Sequence, residues 1–420
     1  MTQTHQPARL PAWSLFAALI AMAGLPIYIH APKFYLDTYG SPLATLGATL
    51  AFLRLIDLVQ DPALGWLAEI TRPHRRAMIA GATTLMATAM WGLFAVPPPI
   101  QPLLWFALTL TALFSAFSFL TICFYAEGVA KAAHLGPQGH IHLAGWREAG
   151  SLIGVCIAAT APIAFAPLSN TPFTTFAAVF AALALAATLA MHRQWQPTPA
   201  ISTNPIALFR PALADPLARR LLVIALLNTA PVAIGSTTFL FYVESRLQAP
   251  GMEGPLLLLF FLAAALSTLF WTRAATRYGL KTTLMSGMAL SIFAFFWATF
   301  LGPGDAAIFA VICIASGAAL GADLTLLPAI FARRLSQIGE GSDTAAFALW
   351  SFVSKLSLAL AAAIFLPALQ ASGFTSGPGI QNPQSALLAL SLIYAALPCV
   401  LKLIALALLW RTAMKGDPSP

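Results

Sequence analysis

Residues 43–67 read LATLGATLAFLRLIDLVQDPALGWL. The run is long enough to cross a membrane, which takes about 20 mostly apolar residues. Backbone groups in hydrocarbon must be satisfied within the spanning structure, so such a run is a helix or a strand of a closed barrel. It lacks the alternation of a barrel strand and reads as a helix. Yet Arg54, Asp57 and Asp61 stand near its middle. Spacings of three and four place all three on one helical face, with Gln60 just to the side. Two carboxylates one turn apart in hydrocarbon cannot both stay ionised without a metal cation, a proton or a basic partner. The set therefore reads in two ways: as a site for Na+ or H+, or as a static lock in which Arg54 ties down both acids.

The rest of the chain repeats the apolar theme. Of 420 residues, 59% are hydrophobic and only 9% charged, against about 25% charged in a soluble domain. Spans are expected near 12–36, 43–67, 77–97, 102–127, 145–167, 174–193, 220–245, 254–274, 283–302, 306–331, 346–370 and 385–410. The first follows a polar N-terminus and is too long for a signal-peptide core. The fold class is an all-α polytopic membrane protein of twelve transmembrane helices.

The net charge is +8, but its distribution speaks against nucleic acid. With the N-terminus inside, Arg9, Arg72, Arg75, Arg76, Lys131, Arg193, Arg210, Arg219, Arg220, Arg273, Arg277, Lys281, Arg333, Arg334, Arg411 and Lys415 all fall on the inner side, and the outer loops hold only Arg246. This is the positive-inside pattern of an inner (plasma) membrane protein with both termini cytoplasmic. The longest polar break, QWQPTPAISTNPIALFRPALADPLA at 194–218, divides the chain into six-helix bundles at 1–193 and 219–420. The loops GWLAEITRPHRRAMIAG and FWTRAATRYGLKTTLMSG echo one another after the second helix of each half. Parallel six-helix repeats are the plan of the major facilitator fold.

Other polar groups within spans mark a pathway or a pair. Ser118, Thr121, Tyr125 and Glu127 lie along the inner half of the fourth span, and Trp146, Arg147 and Glu148 open the fifth. Glu127 and Glu148 could each pair with Arg147, as an intracellular gate or structural bridge, or as substrate contacts. Asp323 reads as a coupling residue or the partner of a lysine or arginine. Lys355 is too deep to snorkel and should face a wet cavity or an acid. Pro26 and Pro32 should kink or break the first span, so that Tyr28 reads as facing a cavity or as a lipid-interface or packing residue. His30 reads as a packing histidine or a ligand, and Glu244 as a solvated end. His140 and His142 have too few companions for a metal site.

Cys123, Cys156, Cys313 and Cys399 all sit in apolar runs and read as small buried hydrophobes. There is no nucleotide-binding loop, CxxC, zinc helix or nucleophile elbow, so neither an enzyme nor an ATP-driven pump is indicated.

The stretch LGATLAFLRLIDLVQDPALGWLAEITRPHRR (46–76), with WREAGSLIGV (146–155) and FVSKLSLALAAA (352–363), resembles the glycoside–pentoside–hexuronide:cation symporters, the melibiose permease-like branch of the major facilitators. The resemblance implies a cation site of Asp57, Gln60, Asp61 and Ser118, with Na+ or H+ as coupling ion and no other cofactor. It also implies a sugar-stacking aromatic at Tyr125, a helix-five arginine at Arg147 and a helix-eleven lysine at Lys355. The acids that hold sugar hydroxyls in the best-known carriers fall here on Ala21 and Thr121. A sugar and an anionic or amphiphilic solute therefore both stay open, and similarity to animal lysolipid carriers keeps lipids among them. The expectation is a monomeric, cation-coupled secondary transporter working by alternating access in the lipid bilayer. Its rivals are a proton-driven exporter of drugs or amphiphiles and a non-transporting membrane assembly factor.

Overall fold

The computed structural model describes residues 9–40, 43–133, 135–136, 138–199, 204–338, 343–375 and 382–413. These residues are helical throughout, with no strand among them. The helices are α1 Leu10–Met22, α2 Leu25–Tyr39, α3 Leu43–Ile70, α4 Arg75–Phe94, α5 Pro102–Ala133, α6 Gly139–Phe165, α7 Pro172–Met191, α8 Pro205–Ala214, α9 Pro216–Phe241, α10 Glu253–Tyr278, α11 Leu280–Phe296, α12 Ala306–Ile338, α13 Asp343–Ala371, α14 Gln384–Ser391 and α15 Leu397–Trp410. Prolines open α5, α7, α8 and α9, where the missing N–H has no helical acceptor to lose.

Among the described residues, nine helices are long and apolar enough to cross a membrane unaided. The charge-bearing α3 and α6 and the split pair α1–α2 complete twelve crossings. The split falls at Gly24, with Pro26 in the first turn of α2, whereas Pro32 lies inside continuous helix. Only the first of the two expected proline effects therefore breaks the chain. The exterior is apolar: Leu189, Leu266, Phe293 and Val311 are each about two-thirds exposed, as lipid-facing side chains should be. The final crossing and the end of α9 each contain a π-helical turn, at Leu392–Ala396 and Tyr242–Arg246.

The chain forms two compact units, one of Met1–Asp215 with Ala332–Phe352 and the other of Pro216–Phe331 with Val353–Pro420. In the first, α1 lies directly on α6. A Cβ at Gly150 would stand 2.2 Å from the Ser14 carbonyl oxygen, and one at Gly154 would stand 2.4 Å from that of Ala18. This G-x-x-x-G pair lets two backbones meet, the usual device where lipid removes the hydrophobic drive for helix association. Trp13, Phe124, Phe16 and Trp195 pack beside it, Trp13 stacking on Phe124 at 4.8 Å. Gln194 and Trp195, at the start of the polar break, are thus buried in the core of this unit.

The described residues of 332–352, called the elbow below, belong to the same unit. Arg334 forms a two-pronged ion pair with Asp215, at 3.1 and 2.5 Å. A Cβ at Gly65 would meet the Ala348 methyl at 2.4 Å.

In the second unit Gly317 and Gly321 bring α12 against α10 in the same manner, a Gly317 Cβ falling 2.2 Å from the Phe260 carbonyl oxygen. Trp271 and Ser267 both donate to the Ala318 carbonyl there. Tyr242 and Tyr394, one from each π turn, stack at 4.1 Å.

Replacing Gly154 with leucine should destabilise the protein by about 3 kcal/mol or more, since overpacking against backbone cannot relax by a rotamer change. Thermal unfolding in detergent should show a large drop in Tm, and Gly81→Leu, where nothing lies within 4 Å of the added Cβ, should leave Tm nearly unchanged.

Candidate functional site

Helix α5 organises the polar groups of the first unit. Ser118 and Tyr125 are seven residues apart, so they share a face about 10 Å apart along the axis. Ser115 precedes Ser118 by almost one turn. Opposite them on α3 stand Asp57, Gln60 and Asp61.

Three described hydrogen bonds tie the upper cluster together. Ser118 Oγ donates to Asp57 Oδ1 at 3.0 Å, and Gln60 Nε2 donates to the same oxygen at 2.9 Å. Ser115 Oγ donates to Gln60 Oε1 at 2.7 Å, fixing the amide from behind. Asp61 lies one turn further along α3 and is fully buried. Ser115 was not singled out from the sequence. Its only signal was its place almost one turn before Ser118.

Two turns along α5 lies the second cluster. Tyr125 Oη donates to Glu148 Oε1 at 2.9 Å, and Arg147 Nε donates to the same oxygen at 2.8 Å. The guanidinium carbon lies over the Tyr125 ring, 3.7 Å from its centroid. Arg147 and Glu148 are both about 95% buried, and Arg147 Nη2 has no hydrogen-bond partner. Phe347 of the elbow packs against Tyr125 at 5.2 Å.

Glu127 departs from expectation. It sits two residues from Tyr125, hence on a different face of α5, and never reaches Arg147. It lies instead beside Arg75, Lys131 and Arg72 and accepts the Gln196 backbone N–H. Arg75 also donates to the Ala68 carbonyl and to Cys123 Sγ, both at 3.0 Å. Cys123 is thus a hydrogen-bond acceptor as well as a buried apolar group, and all four cysteines are free.

Other expected groups stand apart from these clusters. The Thr121 hydroxyl donates to the Phe117 carbonyl of its own helix. His30 Nε2 bonds the Ala159 carbonyl at 3.0 Å and packs on Phe173, so it joins α2 to α6. Glu244 is exposed. No group of three metal-ligating side chains occurs among the described residues. The side chains of Tyr28 and Arg54 lie outside the described part of the structure.

In the second unit Asp323 of α12 is ion-paired with Lys402 of α15, both side chains almost wholly buried. Asn228 of α9 adjoins the pair. The sequence left open whether Asp323 has a basic partner; it does. Lys402 was visible only as a lysine within the last span. Lys355 is half-buried on α13 of this unit.

A family model described as MFS/sugar transport protein matches residues 12–416. The chain belongs to this family. It is a multi-pass membrane protein and a secondary transporter of the major facilitator superfamily. A search of curated proteins gives no significant match. Among solved structures, a bacterial homologue of the iron transporter ferroportin in an outward-facing state superposes with TM-score 0.70 at 14% identity, over 96% of this chain and 100% of that one. FucP, a major facilitator transporter in its outward conformation, gives 0.61 at 12% identity over 94% and 98%. A second structure of FucP, the E. coli fucose:proton symporter, gives 0.58 at 14% identity over 94% and 97%. At these identities the likeness is one of fold.

In this MFS family member, Lys402→Ala should cost about 3–5 kcal/mol by leaving Asp323 as an uncompensated buried charge. The double substitution Lys402→Met with Asp323→Leu should recover most of that loss. Thermal unfolding of the two variants beside wild type makes the comparison, and equal loss in both would refute the pairing argument.

Proposed function

We propose that this chain is a cation-coupled transporter of the melibiose permease-like branch, moving an organic solute by alternating access. The observation that carries the reading is the convergence of Gln60 and Ser118 on Asp57, with Ser115 behind and Asp61 buried one turn away.

Gln60 and Ser118 are both donors and acceptors. Without a cation they donate to the carboxylate. With Na+ bound, a rotated hydroxyl and a flipped amide offer oxygens to the ion beside those of Asp57 and Asp61. With H+ bound, the protonated Asp57 donates and the same groups accept. A lysine or arginine partner has no acceptor and can do neither.

The solute cluster is Tyr125, Arg147 and Glu148. Arg147 offers a buried donor without a protein partner, and the sugar-binding acids of the resembled family are here Ala21 and Thr121. Both features favour a solute with an anionic group, a carboxylate or a phosphate or sulfonate ester, held at the free edge of the guanidinium. Lys355, on α13 of the second unit, is the basic group proposed for coupling there. From its place one turn before Asp57 in the sequence, Arg54 is proposed to tune the charge of the α3 acids. The cytoplasmic placement of both termini and the inner-membrane location follow from the basic loops.

A ligand that binds only the folded state raises stability by mass action. At fixed ionic strength, the purified protein should gain thermal stability with Na+ over K+, or else change stability with pH. Asp57→Asn should abolish either response. Ser115→Ala, which acts through Gln60, should weaken cation affinity by up to about tenfold. Wild type and Asp57→Asn responding alike to Na+ and to pH would sink the cation site.

For the solute, a panel of organic acids and sugar acids should stabilise wild type and not Arg147→Gln. Stabilisation by neutral sugars that survives Arg147→Gln would refute the anionic reading.

A further inference from the structure

At the basic end of the first unit, the start of α1 meets the end of α7 around a cavity of about 280 Å3. Its lining is Arg9, Leu189, Ala190, His192 and Arg193. Three basic side chains, one from the N-cap of α1 and two from just beyond α7, thus surround one small space, and no carboxylate lines it. None of the three side chains has a hydrogen bond or ion pair among the described contacts, and all three residues are exposed.

Backbone geometry adds to the charge. Arg9 is the N-cap of α1 and Pro11 follows in its first turn. The Leu10 N–H has no intrahelical acceptor, and the positive end of the helix dipole points at the cavity. His192 and Arg193 suit the negative end of α7, but that end needs no contribution from Arg9 across the cavity. The remaining wall is apolar: Leu189 is 67% exposed on the lipid-facing side of α7.

We propose that this cavity binds a phosphate group, that of an anionic phospholipid headgroup, with Arg9, His192 and Arg193 around the phosphate and Leu189 against the first acyl carbons. A phosphate suits the donor set because guanidinium pairs with it through two parallel hydrogen bonds. The depth suits a headgroup because the basic residues flank apolar spans at the membrane surface, where each basic group adds about 1 kcal/mol of attraction to anionic lipid. The cavity lies apart from the Asp57 and Tyr125 clusters, so the proposal stands or falls separately from the transport reading.

The test uses the full-length protein purified in a neutral detergent. Thermal unfolding is followed with added phosphatidylglycerol, with phosphatidylcholine of the same acyl chains, and with inorganic phosphate at matched ionic strength. Phosphatidylglycerol should raise Tm by a few degrees more than phosphatidylcholine. The double variant Arg9→Ala with Arg193→Ala should lose that increment, while Arg273→Ala with Arg277→Ala, two exposed arginines on α10, should keep it.

A rise with inorganic phosphate that is also lost in the first variant would support the same site with free phosphate as its occupant. An increment that survives Arg9→Ala with Arg193→Ala, or one that both double variants lose equally, would overturn the proposal. The first would place the lipid elsewhere, and the second would reduce the effect to overall positive charge.

Discussion

A carboxylate inside a membrane has to be solvated by the protein, because hydrocarbon offers it nothing. Much of the packing here answers that need. Asp57 is reached by Ser118 from the neighbouring helix, Glu148 by Tyr125, and Asp323 by Lys402 across the second unit. In each case the acid and its donor come from different helices. Satisfying the acids therefore fixes how α3 faces α5, how α5 faces α6 and how α12 faces α15.

The three acids are not satisfied in the same way, and the difference bears on what each can do. Asp323 has a lysine, which can only donate, and the pair is internally neutral. Such a pair holds two helices together and gains little from a third ion. Among its described partners Asp57 has an amide and a hydroxyl, groups that can accept as well as donate. Glu148 shares one oxygen between Tyr125 and Arg147, and the guanidinium keeps a buried N–H to spare. On the proposed transport reading, the reversible partners of Asp57 and the spare donor of Arg147 make the first unit the place where ligands exchange.

Close backbone packing links those clusters to the rest of the first unit. Gly150 and Gly154 let α1 lie against α6, one to two turns beyond Arg147, so the helix that carries the arginine is anchored along its length. Gly65, one turn from Asp61, admits the start of α13 to the face of α3, and Phe347 of the same helix covers Tyr125. One short segment thus touches the helix that carries Asp57 and Asp61 and the aromatic ring that meets Arg147. On the proposed transport reading, a shift of that segment would be felt at both places, which is the physical requirement for coupling two ligands.

Local properties were legible in the chain itself. Apolar run length gave the twelve crossings, since a helix in lipid satisfies its own backbone whatever its neighbours do. The helical period placed Arg54, Asp57 and Asp61 on one face and Ser118 and Tyr125 on another, because that period is a property of one helix alone. What the sequence left open was the choice of partners. It offered both Glu127 and Glu148 to Arg147; only Glu148 reaches it, since Glu127 points around α5 to Arg75 and Lys131. It did not single out Ser115 behind Gln60 or Lys402 beneath Asp323, and it showed Gln194 and Trp195 as part of a polar break although both are buried. Each of these depends on how far one helix is rotated about its axis relative to the next. That rotation is set by side-chain packing between segments distant in sequence, so only the tertiary structure decides it.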